Sequence, residues 1–181
     1  MARRQLTGAL LVGGASTRFG SPKALAELHG ETLAERGWRV LGELCEERLA
    51  VGKQAHGLPL PFELLDDGSD VRAPVAGLVA ALRAARNELC VVLPVDCPLV
   101  TAALLGSLAD ACTERVDAAV PQTGPLPGAY RRSALPALER ALASGRLSIR
   151  DALTELRVET VEFEPGLLVN VNTQEELRRL R

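Results

Sequence analysis

Aromatic residues are almost missing from this chain: three Phe, one Trp and one Tyr among 181 residues. Methionine occurs once. The core must therefore be filled by Leu, Val and Ala, which suits helices packed on a buried parallel sheet. Histidine is confined to His29 and His56, and Cys45, Cys90, Cys97 and Cys112 form no C-x-x-C pair, so the spacing of a zinc site is absent. The cysteines lie in or beside apolar runs, as small buried residues do in a reducing compartment. Positive charge is not in excess. The formal net charge of -2 withholds the footprint of a nucleic-acid binder, so an anionic ligand must be held by local groups. No apolar run is long enough to span a membrane, and the one after Met1–Gln5 is too short for a signal peptide. Cytoplasm is the expected compartment.

What is present is an alternation of strand-like and helix-like segments, with no internal repeat. Leu6–Val12 reads as a first buried strand, ended by Gly13-Gly14. Thr32–Cys45 reads as a helix opened by a Thr32/Glu35 capping box, with Leu33, Gly37, Val40, Leu41 and Leu44 on one face. Short strands are expected at Arg48–Val51 and Phe62–Leu65, then a helix at Val75–Arg86. Cys90–Val95 is the clearest buried strand, and Pro94 predicts that pairing ends there. Helices are expected at Thr101–Cys112, Ser133–Ala143, Ser148–Leu156 (opened by Ser148 and Asp151) and Thr173–Leu180. Asp117–Val120, Val158–Phe163 and Leu167–Val171 read as strands, and Pro127–Arg131 as extended chain. This alternation predicts one three-layer α/β domain over residues 1–181. The Pro121–Pro127 stretch interrupts it as a loop, because too little chain follows to build a second core.

The most informative segment is Leu11-Val12-Gly13-Gly14-Ala15-Ser16-Thr17-Arg18-Phe19-Gly20-Ser21-Pro22-Lys23. It follows the first strand, and open α/β sheets place ligands beyond the carboxyl ends of their strands. Glycines let backbone N–H groups approach a ligand in a concave row that binds phosphate oxygens. Ser16 and Thr17 add hydroxyl donors, Arg18 a planar fork and Lys23 a compact charge. A Walker loop and a dinucleotide fingerprint both fail on glycine and lysine spacing. An ordinary turn would account for Gly13-Gly14 alone, but not for the set of Gly13, Gly14, Ser16, Arg18, Gly20 and Lys23.

The segment resembles the signature G-G-x-S-x-R-[MF]-G-x-x-K of the nucleotidyltransferases that act on molybdopterin, and within them the molybdenum cofactor guanylyltransferases. The resemblance implies a three-layer Rossmann-like nucleotidyltransferase fold with a mostly parallel central sheet. It implies nucleotide-binding roles for Leu11, Gly13, Gly14, Ser16, Arg18 and Lys23, with Arg18 and Lys23 neutralising the triphosphate. The guanylyltransferases commonly carry Asp just before the lysine, where this chain has Pro22. The second glycine of Val12-Gly13-Gly14 leans toward the guanylyl branch, since the cytidylyl branch usually has Ala-Gly there.

Acidic and amide residues in three further segments extend the pattern. Asp96 closes the apolar run before Cys97-Pro98. By residue type alone it reads equally as a ligand-facing carboxylate at a strand end and as a turn aspartate bonding its own backbone. Pro94-Val95-Asp96-Cys97-Pro98 is similar to the family's P-x-D-x-P segment, which implies that Asp96 holds Mg2+ and contacts the nucleotide. Asp66-Asp67-Gly68 reads as a polar turn, yet the family places an aspartate here that holds the nucleoside, and Asp67 is chosen over Asp66. The family's G-P-L-A-G becomes Ala73-Pro74-Val75-Ala76-Gly77. Asn170-Val171-Asn172-Thr173-Gln174-Glu175-Glu176-Leu177 is similar to N-[IV]-N-T-P-E-[DE]-L, which makes Asn170 and Asn172 candidates for the second substrate. A Thr173/Glu176 capping box explains half of that segment by structure alone. Gln174 in place of proline is expected to matter little. The loop Pro125–Arg131 is a candidate surface for the pterin.

The implied reaction is transfer of GMP from GTP to the phosphate of molybdopterin, releasing pyrophosphate by Mg2+-assisted in-line displacement. Arg18, Lys23 and Asp96 are the expected catalytic residues. The substrates are then the partners, with no nucleic acid or membrane involved and transient contact with other molybdenum cofactor enzymes. The rivals are a CTP-dependent molybdopterin cytidylyltransferase, a relative acting on another phosphorylated metabolite, and a nucleotide-binding module without catalysis.

Overall fold

β1 (Arg4–Leu11) starts polar at Arg4 and Gln5 and is buried from Leu6 onward, so it lies inside a sheet rather than at its edge. The computed structural model describes residues 4–13, 19, 22–53, 57–71, 73–164 and 166–180. After β1 come a small hairpin of β2 (Glu27–Leu28) and β3 (Glu31–Thr32), then α1 (Leu33–Leu44), β4 (Cys45–Gly52), β5 (Leu64–Asp66) and α2 (Pro74–Ala84). The chain continues through β6 (Leu89–Pro94), α3 (Ala102–Ala111), β7 (Ala118–Pro121), β8 (Gly128–Arg131), α4 (Leu135–Ala143), α5 (Ile149–Leu153), β9 (Val158–Val161) and α6 (Gln174–Arg178). Seven strands form one sheet in the order β5-β4-β1-β6-β8-β7-β9. β8 runs against both neighbours, and every other pairing in that sheet is parallel.

The period of two along the strands divides the core into two layers. Leu6 and Leu10 of β1, with Val91 and Leu93 of β6, face α1 and α3. Ala9 and Leu11, with Cys90 and Val92, face α2, α4 and α5. α1 buries the expected stripe of Leu33, Gly37, Val40, Leu41 and Leu44. Each fully buried leucine there contributes about 1.5–3 kcal/mol. Gly37 lets the helix sit close to the sheet, since a Cβ at that position would lie 2.6 Å from Leu10 Cδ1. The scarce aromatics include a stacked pair, Trp38 and Phe62, with ring centroids 4.3 Å apart. The Arg48 guanidinium lies 4.4 Å from the Trp38 ring centre. All four cysteines are buried thiols.

The Thr32/Glu35 capping box opens α1, and Thr101 caps α3 through the Leu104 N–H. Pro74 sits in the first turn of α2, where its missing N–H costs nothing. β6 ends at Pro94 as its chemistry requires. Two expectations are corrected. Leu167–Val171 is not a strand: a turn at 166–168 leads into chain that crosses the strand ends, touching them where the Val171 N–H donates to the Asp96 carbonyl at 2.8 Å. Of its apolar residues Val171 is fully buried, Leu168 and Val169 are half-buried and Leu167 is exposed. Ser148 precedes α5 but makes no side-chain cap. No helix among the described residues is long and apolar enough to cross a membrane.

Candidate functional site

The carboxyl ends of β4, β1 and β6 are level, because Leu11 pairs in register with both Val51 and Pro94. Backbone bonds carry the alignment one residue further: Val12 N–H donates to the Val51 carbonyl at 2.8 Å, and Val95 N–H to the Leu11 carbonyl at 3.0 Å. Asp67 N–H donates to the Gly52 carbonyl at 3.1 Å, which ties the end of β5 to the same edge. The loops leaving these strands therefore begin side by side. Over them lies a cavity of about 390 Å³, lined by Leu11, Gly13, Gly52, Lys53, Asp67, Pro94, Asp96 and Asn170 among others. The N-terminus of α2 closes one side with Ala73, Pro74 and Gly77, and Leu126 reaches it from the loop before β8.

At the β6 end, residues distant in sequence meet. Lys23 stands in a short 3-10 turn over Lys23–Leu25. Its Nζ donates to Asn172 Oδ1 at 2.8 Å and approaches Asp96 Oδ2 at 3.3 Å, across sequence separations of 149 and 73 residues. Both charged side chains are largely shielded, 14% and 26% exposed. Asn172 is held in turn by its own N–H, which donates to Glu176 Oε2 at 2.6 Å. That bond keeps the Glu176 carboxyl below its usual range, so the carboxylate stays ionised as an anchor. The Thr173/Glu176 capping box is formed as well. Asn170 Oδ1 accepts from the Cys97 thiol at 2.8 Å. Burial, reinforced by the neighbouring Asp96 charge, pushes that thiol well above its ordinary range, so it acts as a donor and not as a thiolate.

At the β4–β5 end a second ion pair faces the same cavity. Lys53 Nζ donates to Asp67 Oδ1 at 2.6 Å and also to the Ser69 carbonyl. Asp67 Oδ1 accepts the Ser69 N–H at 3.0 Å. Asp66 instead turns outward and caps the Gly68 N–H at 2.8 Å.

Of the residues singled out in the sequence, Leu11, Gly13, Asp67, Asp96 and Asn170 line one cavity, and Lys23 and Asn172 meet at its β6 end. Gly14, Ser16, Thr17, Arg18 and Gly20 lie outside the described residues. Sequence reasoning missed Lys53, although its place just past a strand end was a usable signal. It also passed over Cys97, the partner of Asn170, and expected little of Gln174, whose Nε2 donates to the Phe19 carbonyl at 3.1 Å and ties α6 to the glycine-rich segment. A proline there could not make that bond.

Asp96 and Asn170 offer oxygen donors in one cavity, and no cluster of three or more His, Cys, Asp or Glu residues that could hold a metal occurs among the described residues. That donor set fits Mg2+, which takes one or two carboxylates and completes its shell with phosphate oxygens and water.

Comparison with known proteins finds relatives along most of the chain. Residues 8–160 match the family described as MobA-like NTP transferase domain. A probable molybdenum cofactor guanylyltransferase of Chloroflexus aggregans is 33% identical, covering 96% of this chain and 92% of the relative. The molybdenum cofactor guanylyltransferase of Desulfosudis oleivorans is 30% identical over 96% and 93% of the two chains. Among solved structures, the molybdopterin-guanine dinucleotide biosynthesis protein A of Archaeoglobus fulgidus superposes with a TM-score of 0.82 at 30% identity, covering 96% of each chain.

Proposed function

The chain belongs to the family of MobA-like NTP transferase domains, and from that premise we propose that it transfers GMP from GTP to the phosphate of molybdopterin, releasing pyrophosphate. The observation that carries the proposal is the meeting of Lys23, Asp96 and Asn172 at the carboxyl ends of β1 and β6, beside a cavity of nucleotide size. Residues 1–181 act as one nucleotidyltransferase domain.

In this reading Gly13 and Gly14 bring backbone N–H groups to the triphosphate, and Ser16 and Arg18 add donors from the same loop. Lys23 neutralises charge on the phosphates. Leu11 and Asp67 contact the nucleoside. Asp96, with Asn170 beside it, holds Mg2+, which supplies charge neutralisation on the α-phosphate and the leaving pyrophosphate when bound. Asn170 and Asn172 meet the second substrate. The attacking phosphate monoester is already ionised near neutral pH, so no strong general base is required. Positioning and charge neutralisation supply the catalysis.

The test is pyrophosphate release by the purified protein with Mg2+, GTP and molybdopterin, beside the Asp96→Ala variant. Release is expected to need the pterin and to vanish in Asp96→Ala, whose fold persists. Normal release by folded Asp96→Ala would sink the metal assignment. Nucleotide binding without magnesium-dependent pyrophosphate release would favour the non-catalytic module.

A further inference from the structure

We infer that Lys53 is the residue that selects the base, donating to a base carbonyl while Asp67 accepts from the adjacent ring N–H. The inference rests on the nucleotidyl-transfer reading and names the source of base selectivity in the same cavity. The cavity has two polar ends. One is Asp96 and Asn170 past β6; the other is Lys53 and Asp67 past β4 and β5. Neighbouring strands lie about 4.8 Å apart, and β4 is separated from β6 by β1 alone. The two ends are thus on the order of 10 Å apart, the span from an α-phosphate across a ribose to its base. Phosphates seated at the Asp96 end put the base at Lys53.

The pair is built to present one donor beside one acceptor. Its side chains are 15% and 9% exposed, so neither is a freely swinging surface charge. An ammonium has three donors. Asp67 and the Ser69 carbonyl take two of them, which fixes Nζ and leaves the third. The contacts of the Asp67 carboxylate with Lys53 and with the Ser69 N–H both fall on Oδ1, which leaves Oδ2 as an acceptor. Guanine offers the matching order along one edge: the O6 acceptor, then the N1–H and N2–H donors. Adenine and cytosine present an amino donor where Lys53 needs an acceptor. Uracil matches the first two positions but turns a second acceptor toward the carboxylate. A carboxylate without its lysine would accept from any amino group, so discrimination at the carbonyl falls to Lys53.

The experiment measures the affinity of wild-type protein and Lys53→Met for GTP and for 6-thioguanosine triphosphate, which keeps the N1–H and N2 donors but replaces O6 with a weakly accepting sulfur. Magnesium is present and each variant is checked for folding by thermal melting. Wild type is expected to prefer GTP by about 10- to 100-fold, the worth of one charge-assisted hydrogen bond. In Lys53→Met that preference collapses through loss of GTP affinity, while the analogue shifts by less than about threefold. If Lys53→Met does not fold, Lys53→Gln, which keeps a neutral donor for the Ser69 carbonyl, gives the same comparison. A folded variant that retains the wild-type preference overturns the role of Lys53 and leaves nucleotidyl transfer standing. Wild-type protein that binds none of the nucleotides overturns both.

Discussion

Replacing Lys23 by alanine asks whether this lysine serves chemistry or braces the fold. Its Nζ lies 3.3 Å from Asp96 Oδ2, and the two side chains are 14% and 26% exposed. At an effective dielectric constant of about 20, the attraction at that distance is about 5 kcal/mol. Desolvation of the two charges offsets most of it, so the variant should lose about 1–3 kcal/mol of stability. For a chain of this size that is a fall in Tm of about 2–12 °C. Losing a charge that meets developing charge in the transition state costs more, about 100- to 1,000-fold in turnover. The assay pairs thermal unfolding with pyrophosphate release at saturating GTP and pterin, expressed per folded molecule. A Tm loss within that range, with turnover within about threefold of wild type, would refute the catalytic assignment and leave Lys23 as a brace for Asp96 and Asn172.

Two further outcomes concern the fold. Asp117 accepts from Ser133 Oγ at 2.6 Å and from Arg157 N, Nε and Nη2 at 2.9–3.0 Å, and Arg157 holds its carboxyl far below the usual range. A depressed folded pKa contributes stability above the unfolded value of about 3.9 and loses it as pH falls below that. Urea unfolding at pH 7 and pH 3 should therefore show a smaller acid loss for Asp117→Asn than for wild type, and equal losses would contradict the linkage. Gly37→Val forces a Cβ to 2.6 Å from Leu10 Cδ1. It should cost about 1–3 kcal/mol in urea unfolding, against a helix-propensity gain of a few tenths of a kcal/mol. Unchanged stability would contradict the close packing of α1 on β1.

Much of the architecture was legible because buried parallel strands are continuous apolar runs and because caps and prolines mark element ends. Cys90–Pro94 and the Thr32 and Thr173 capping boxes stand where their chemistry puts them. Leu167–Val171 misled because its apolar run reads as a strand, whereas the chain only crosses the strand ends, burying Val171 and leaving Leu167 exposed. The antiparallel course of β8 follows from the loop before it, and strand periodicity carries no direction. At the site, Asp96 and Lys23 were legible as motif positions, but their meeting with Asn172 is a product of topology across 149 residues. Lys53 escaped notice because a lysine after a short strand and a glycine looks like any solvated turn. Only the 2.6 Å contact with Asp67, itself in an ambiguous turn, makes it part of the cavity.

The most direct test is to supply the purified protein with molybdopterin, Mg2+ and equal concentrations of GTP, CTP, ATP and UTP, and to weigh the pterin product by mass spectrometry. The account predicts one adduct, heavier by a GMP moiety. A CMP adduct, or pterin left unmodified by a folded protein that binds GTP, would contradict it.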